Sequence, residues 1–440
     1  MMTSAHSDEL PHSRSLPLLL ILFVGSGCAA LIYEIVWFQL LQLVIGSSAV
    51  SLGVLLGTFM GGMCLGSILL PRLVSPRRHP LRVYAMLELG IGAIGLALLF
   101  GMPLIDQLYA ASGAHGFTGL LLRAAISAIC LLPPTLLMGA TLPAIARWIQ
   151  TTREGVSWLG FFYGGNIAGA VFGCLLAGFY LLRVYDMALA TYIAVALNTA
   201  VALLGLSLSA IAPHRTPSEP TARSSILERA PHAWTVYLTI AFSGLTALGA
   251  EVVWTRLLSL MFGGSVYTFS IILAVFLAGL GIGSAAGSFI SRTSPDPRRA
   301  LGWCQMLLTA SIAWTALTIA KSLAYLPINP ALSTSPWFTF QLDLMRCMWS
   351  ILPATLLWGA SFPLALAGVA ARGQDPGKMV GGVYAANTIG AIVGALGFSM
   401  IFIPQFGTQQ SQRILIAVAF VAALLVLAPL ARRAGGAMGL

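Results

Sequence analysis

The stretch SGCAALIYEIVWFQLLQLVIGSS at 26–48 returns as SGLTALGAEVVWTRLLSLMFGGS at 243–265, displaced by 217 positions. Carried on to Ser67 and Ser284, the match holds 17 identities in 42 positions. Leucine-rich segments match one another by composition alone. Glu34 and Trp37 recurring together as Glu251 and Trp254 do not, nor do Gly27, Gly46, Phe59, Gly62 and Gly66 recurring as Gly244, Gly263, Phe276, Gly279 and Gly283. Two later segments repeat as well. LPPTLLMGATLPA at 132–144 matches LPATLLWGASFPL at 352–364, and YGGNIAGAVFG at 163–173 matches YAANTIGAIVG at 384–394. The offset has grown to 220 and then 221, so small insertions separate the copies and the chain is a tandem duplication.

The medium in which this duplication folds follows from composition. Of 440 residues, 58% are apolar and 8% charged, and the mean hydropathy is +0.90. A soluble domain carries about 25% charged residues, so this chain cannot coat itself against water. That excludes a disordered chain, a disulfide-rich secreted module and a large soluble enzyme domain. The six cysteines form no CxxC pair, which argues against a zinc site or a disulfide framework. The six histidines avoid the apolar runs, so no metal or haem is expected in the bilayer, and no cofactor.

Apolar runs of about twenty residues fall at 16–45, 51–71, 81–101, 118–148, 158–182, 186–211, 233–262, 266–290, 300–320, 340–370, 379–403 and 411–431. The expected fold is therefore an all-α polytopic membrane protein with about twelve spans in two six-helix repeats, 16–211 and 233–431. Polar tails at 1–15 and 432–440 flank them, and a Pro-, Ser- and charge-rich linker at 212–232 joins them. Six is an even number, so both repeats run the same way through the membrane. That is the parallel arrangement of major facilitator halves.

The net charge of +10 does not signal nucleic acid. With the N-terminus inside, 17 of the 23 Lys and Arg fall in inner loops and tails and only Arg183, Lys321 and Arg413 in outer loops. This is the positive-inside pattern of a membrane protein with both termini in the cytoplasm.

AEVVWTRLLSLMFGGSVYTFSIILAVFLAGLGIGS at 250–284, LLPPTLLMGATLP at 131–143 and VYAANTIGAIVGAL at 383–396 resemble the membrane half of a bacterial family of fused facilitator-like/spermidine synthase proteins. The resemblance covers nearly the whole chain. It implies a membrane domain linked to polyamine-like chemistry, with a soluble synthase-like protein as a partner. The family's aminopropyltransferase-like domain has no counterpart in these 440 residues. Its catalytic residues therefore have no positions here, and the chain is read as no enzyme. In facilitator-like folds the first helix of each three-helix unit lines a central cavity. That implies spans one, four, seven and ten.

Glu34, Glu88 and Glu251 are the carboxylates deep in the spans. A charge at the bilayer centre costs roughly 2.5–3.5 kcal/mol on insertion scales, so each needs a partner, water or a proton. Burial favours the neutral form of such a group. Arg123 on span four and Arg346 on span ten are the expected partners of Glu34 and Glu251; Arg256 lies off the Glu251 face. These pairs read either as ion pairs locking helices together or as cavity groups. Trp37 and Trp254, three residues after each Glu, either pack or hold an organic cation against the ring. Tyr163, Asn166, Tyr384 and Asn387 add neutral polar groups on spans five and eleven, which more often glue helices together. Glu88, matched by Gln305, reads as a one-off hydrogen-bonding group.

Two functions compete. One is a carrier for a small organic solute, a polyamine or another amine, through a cavity between the halves. The other is a non-transporting membrane module that docks a separately encoded synthase-like enzyme. The charge pattern makes a direct prediction about topology. Reporter fusions at Pro213 and Gly435 should both report cytoplasm, and an external signal at either would overturn the orientation.

Overall fold

Lipid offers no hydrogen bonds, so a spanning segment must satisfy its own backbone, and an apolar chain of this length resolves into helices. The computed structural model describes residues 12–46, 48–75, 78–112, 116–149, 155–211, 233–323, 335–369 and 376–437, with no strand among them. Among the described residues eleven apolar runs are long enough to cross a membrane, and the last of them covers 50 residues. That run is bent at Gly407, where φ is 74°. It supplies two spans, which makes twelve among the described residues.

The first half comprises α1 (His12–Ile45), α2 (Ser48–Leu73), α3 (Pro80–Ser112), α4 (Gly116–Ile149), α5 (Gly155–Leu176) and α6 (Met187–Ile211). The second comprises α7 (Ala233–Phe262), α8 (Val266–Thr293), α9 (Pro297–Leu317), α10 (Pro336–Val369), α11 (Pro376–Gly397) and α12 (Ile403–Ala437). Several helices outrun their apolar cores: α3 runs on past Gly101 and Pro103 to Ser112, where the sequence suggests an end near 101. The linker 212–232 and most of the loop 321–340 lie outside the described residues.

Local chemistry sets the corners. Gly46 and Gly263, repeat mates, follow α1 and α7 with φ of 78° and 96°, a conformation that glycine adopts without steric cost. Asp296 caps α9 by accepting the Arg298 and Arg299 amides at 3.1 and 3.2 Å, and Pro297 opens the helix with its φ already set. Short π-helical segments extend α5 at Ala177–Leu181 and α11 at Phe398–Phe402. They are repeat mates at the 221 offset. A third π segment, Thr318–Ser322, follows α9.

Contacts within the halves obey the duplication. The α1–α5, α2–α4, α3–α6, α3–α4 and α1–α6 pairs are repeated as α7–α11, α8–α10, α9–α12, α9–α10 and α7–α12. The main crossings between the halves are α2 with α11 and α5 with α8, with lighter ones of α2 with α7 and α1 with α8, and exchanging the halves turns each into its counterpart. The halves are thus parallel copies about a two-fold axis along the bundle. The start of α1, the end of α6, the start of α7 and the end of α12 lie at one end, the termini end; the α1–α2 and α7–α8 corners lie at the far end.

Glycine sets the spacing inside each half. A Cβ at Gly169 or Gly173 of α5 would strike the carbonyls of Val24 and Cys28 on α1. A Cβ at Gly390 or Gly394 of α11 would strike those of Ala241 and Leu245 on α7. Such small-residue stripes let backbones meet where lipid provides no hydrophobic drive for association. Gly173→Val and Gly394→Val should each destabilise the protein by about 1–3 kcal/mol through overpacking. Thermal unfolding in detergent would show it; unchanged melting of both variants would mean the helices do not touch there.

Candidate functional site

Glu34 and Glu251 each precede the last residue of their helix by eleven positions, about 16 Å from the far end. Both are buried, with 7% and 3% exposure. Phe38 lies one turn beyond Glu34 on the same face, and its ring centroid is 4.3 Å from that of Phe269 on α8. The Glu34 face of α1 therefore looks into the other half. Glu251 lies within electrostatic reach of Glu34. One carboxylate from each half is thus held near the two-fold axis.

A third group joins them. Cys174 of α5 is within electrostatic reach of both carboxylates, and its Sγ donates to the Ser270 carbonyl of α8 at 3.2 Å. Helices α1, α5, α7 and α8 meet at this point. The site is not fully satisfied: Glu251 Oε1 and Thr255 Oγ1, one turn apart on α7, are buried without a hydrogen-bond partner. Cys174 carries no repeat signal. Its mate is Ala395, and the mate of Ser270 is Gly53.

The tryptophans turn away into aromatic clusters inside each half. Trp37 stacks on Tyr33 at 5.3 Å and tilts against Phe59 at 5.9 Å. Trp254 tilts against Trp358 at 5.4 Å, and Trp358 stacks on Phe276 at 5.7 Å. Both are at most 1% exposed. Of the two roles open in the sequence, this arrangement gives them packing.

The arginine expectation is met differently. Arg346 has Asp343, one turn back on α10, as its carboxylate partner at 3.6 Å, in place of Glu251. It also lies over the Phe262 ring at 6.0 Å. Asp343 accepts a hydrogen bond from the Tyr267 hydroxyl at 3.3 Å. The physical reason is distance along the helix, which leaves Asp343 as the nearer anion. The Arg123 side chain lies outside the described residues, as does that of Tyr163. Arg256 is exposed, away from buried Glu251.

Tyr267 belongs to the closure of the far end. Phe179 of α5 meets Tyr267 and Phe340 edge-on, each at 4.8 Å. Along the two main crossing pairs, Cβ atoms at Gly178 and Gly53 would strike the hydroxyls of Ser270 and Ser399. The contacts joining the halves then run as far as Cys64 beside the Thr388 hydroxyl and Gly281 beside Ile167. Nearer the termini, Gly66 and Gly283 turn to the Leu136 and Leu356 carbonyls of their own halves.

This architecture has solved counterparts. A bacterial homologue of the human lysosomal transporter Spinster, inward-facing and occupied, superposes with a TM-score of 0.62 at 14% identity, covering 97% of this chain and 98% of that one. A bacterial homologue of the iron transporter ferroportin, inward-facing, gives 0.61 at 11% identity, covering 95% and 99%. A nucleoside transporter gives 0.57 at 16% identity, covering 94% and 99%. The chain has the major facilitator fold. No protein-family model and no curated protein matches the sequence, so the synthase side of the resemblance gains no support there.

Within the facilitator frame the remaining expected residues act as packing elements. A Cβ at Gly27 would strike the Asn166 carbonyl, and one at Gly244 the Asn387 carbonyl. The asparagines therefore mark close approaches of α5 to α1 and of α11 to α7. Tyr384 is half-buried, edge-on to Phe362 at 6.4 Å. Among the described residues no group of three or more His, Cys, Asp and Glu is arranged to hold a metal.

Glu88 is placed wholly inside the first half, and its bond is not a one-off. Ser26 Oγ donates to Glu88 Oε1 at 2.7 Å. In the second half Gln305 Nε2 donates to Ser243 Oγ at 3.3 Å and to Ser361 Oγ at 2.9 Å. The repeat keeps the serine link between the same two helices and exchanges an acid for its amide. Glu88→Gln should therefore melt close to the parent protein. Glu88→Ala should cost about 1–3 kcal/mol by stranding its buried partners. Equal melting of the two variants would remove this bond from the account.

Proposed function

We propose that the chain is a membrane carrier for a small organic solute, working by alternate opening of its two halves. The observation that carries this reading is the Glu34–Glu251 pair. Each half contributes one buried carboxylate, and the two lie within electrostatic reach of one another across the seam between the halves. Ionisable groups inside a membrane protein are costly and mark substrate or ion paths. Two carboxylates within electrostatic reach of one another, with no facing cation among the described side chains, suit a positively charged solute.

An organic amine fits this charge, and a polyamine is the member of that class suggested by the resemblance to the synthase-linked family. The neighbouring structures are described as transporters of different cargo, among them metal and nucleoside. The fold therefore does not choose the solute; the groups at the axis do. The excess of Lys and Arg in the termini-side loops orients the carrier with the termini in the cytoplasm of a bacterial inner membrane. The far-end contacts then close the outer side.

Purified protein in liposomes should take up labelled amines above the level of empty liposomes. Glu34→Gln and Glu251→Gln should each weaken apparent affinity roughly tenfold to a hundredfold, the loss expected for one charged hydrogen bond. Uptake no better than empty liposomes across a panel of amines would overturn the reading in favour of a docking module.

A further inference from the structure

We infer that Thr255 and Glu251 together read the N–H groups of the solute, so that the carrier takes primary ammonium ions and rejects quaternary ones. The inference rests on the carrier reading above and narrows its cargo, from organic cations at large to those that donate hydrogen bonds.

Two atoms on one face of α7 carry the argument. Glu251 Oε1 and Thr255 Oγ1 are both buried without a hydrogen-bond partner, on residues with 3% and 6% exposure. Residues four apart are neighbours on a helix surface. Each Cα–Cβ bond tilts toward the helix N-terminus, so the Thr255 side chain leans back over the turn that carries Glu251. A hydroxyl inside a helix commonly spends itself on its own backbone. Thr191, Thr199 and Thr309 donate to the carbonyl four residues back at 2.8, 2.8 and 2.9 Å. Thr255 does not, although the Glu251 carbonyl stands at that place. Its oxygen is turned from the backbone, beside a carboxylate oxygen in the same condition. Trp254 Nε1 also lacks a partner, but it is a donor and goes with its ring toward Trp358 in its own half.

The repeat shows where this face of α7 looks. Thr255 is the mate of Phe38, which meets Phe269 of α8 across the seam between the halves at 4.3 Å. The matching places on the other seam are Thr255 of α7 and Leu52 of α2, and α7 crosses α2 as α1 crosses α8. Two aromatic rings close one seam. A hydroxyl and a leucine, with half as many side-chain heavy atoms, stand at the other. Glu34 thus has a phenyl ring one turn on, where Glu251 has a hydrogen-bonding group.

The chemistry of the two oxygens selects the ligand. A buried carboxylate needs a counter-charge. Among the described side chains, Arg346 of α10 is spent on Asp343, and Arg256 is exposed. The solute itself then supplies the cation. A primary ammonium has three N–H donors. Two of them span acceptors about 4.5–5 Å apart when each N···O distance is about 2.9 Å, a spacing that side chains one helical turn apart can meet. A quaternary ammonium has no N–H and would leave both oxygens buried and unpaired, which is costly for each. Quaternary ions are held by aromatic faces instead. Here Trp37 and Trp254 are spent on rings of their own halves.

A matched pair of probes tests the inference in liposomes. Labelled 1,4-diaminobutane and its fully N-methylated, doubly quaternary counterpart share chain and charge and differ in N–H. The parent protein should favour the primary form by about tenfold to a hundredfold in apparent affinity. Thr255→Val keeps the shape of the side chain and removes its oxygen, so the preference should shrink roughly tenfold; Thr255→Ala serves equally if valine does not fit. Thr255→Ser, which keeps the hydroxyl, should retain the preference, a rescue that a purely structural role would not produce. Glu251→Gln should weaken both probes, because both carry the charge it answers. Equal uptake of the two probes by the parent, or a preference that survives in Thr255→Val and Thr255→Ala, would overturn the proposal and leave the carrier standing. Uptake of neither probe would overturn it too, and the carrier reading with it if the rest of the amine panel also stays outside.

Discussion

Helices in lipid gain nothing by hiding leucine from their surroundings, so the close approach of backbones has to hold this bundle together. Glycine provides that approach. Gly169 and Gly173 seat α5 on the carbonyls of α1, and Gly390 and Gly394 seat α11 on those of α7. Each half is locked in this way before any polar group is considered. The locked halves fix where the costly groups go. Glu34 and Glu251 share their helices with Gly27 and Gly244, which meet α5 and α11, and their own side chains face the opposite half. The position of the carboxylates follows from the glycines.

Duplication gives the molecule a symmetric frame, and the chemistry lies in the departures from it. Cys174 and Ser270 stand on one side of the axis; Ala395 and Gly53 stand on the other. Glu88 in one half is Gln305 in the other. Tyr267 and Asp343 join at the far end of the second half, where the first half offers Val50 and Arg123 at the matching places. A solute moving along the axis would thus meet two unlike walls.

Much of the frame was legible in the sequence. The 217-residue offset gave the halves, the apolar runs gave twelve spans, and the even number of spans gave the parallel arrangement. The Glu pair stood out because a carboxylate recurring inside two spans is costly unless it finds a partner, water or a proton. Cys174 was invisible for the complementary reason that the repeat does not preserve it. Arg123 and Arg346 looked equivalent as lone arginines in matching spans. The offset of 220 that aligns the neighbouring proline segments instead places Arg123 opposite Asp343. Arg346 then finds its anion one helical turn away, a local contact that no comparison of halves would reveal. The tryptophans were ambiguous because cation binding and packing call for the same residue. Only the partner rings, Tyr33 and Phe59 or Trp358 and Phe276, decide between them.

Helices α5 and α11 each carry two stripes of small residues side by side. Gly169 and Gly173 press on the backbone of their own half, while Cys174 and Gly178 press on α8 of the other. Gly390 and Gly394 do the same toward α7, and Ala395 and Ser399 toward α2. The own-half stripes meet carbonyls, which hold them as clamps. The crossing stripes meet mainly side chains, the Ser270 and Ser399 hydroxyls with Leu396, Ile392 and Ile167 along the same seams. Side chains can change rotamer where a backbone cannot yield. Each of these helices is therefore seated on backbone in one half and on repackable side chains in the other, once on either side of the axis.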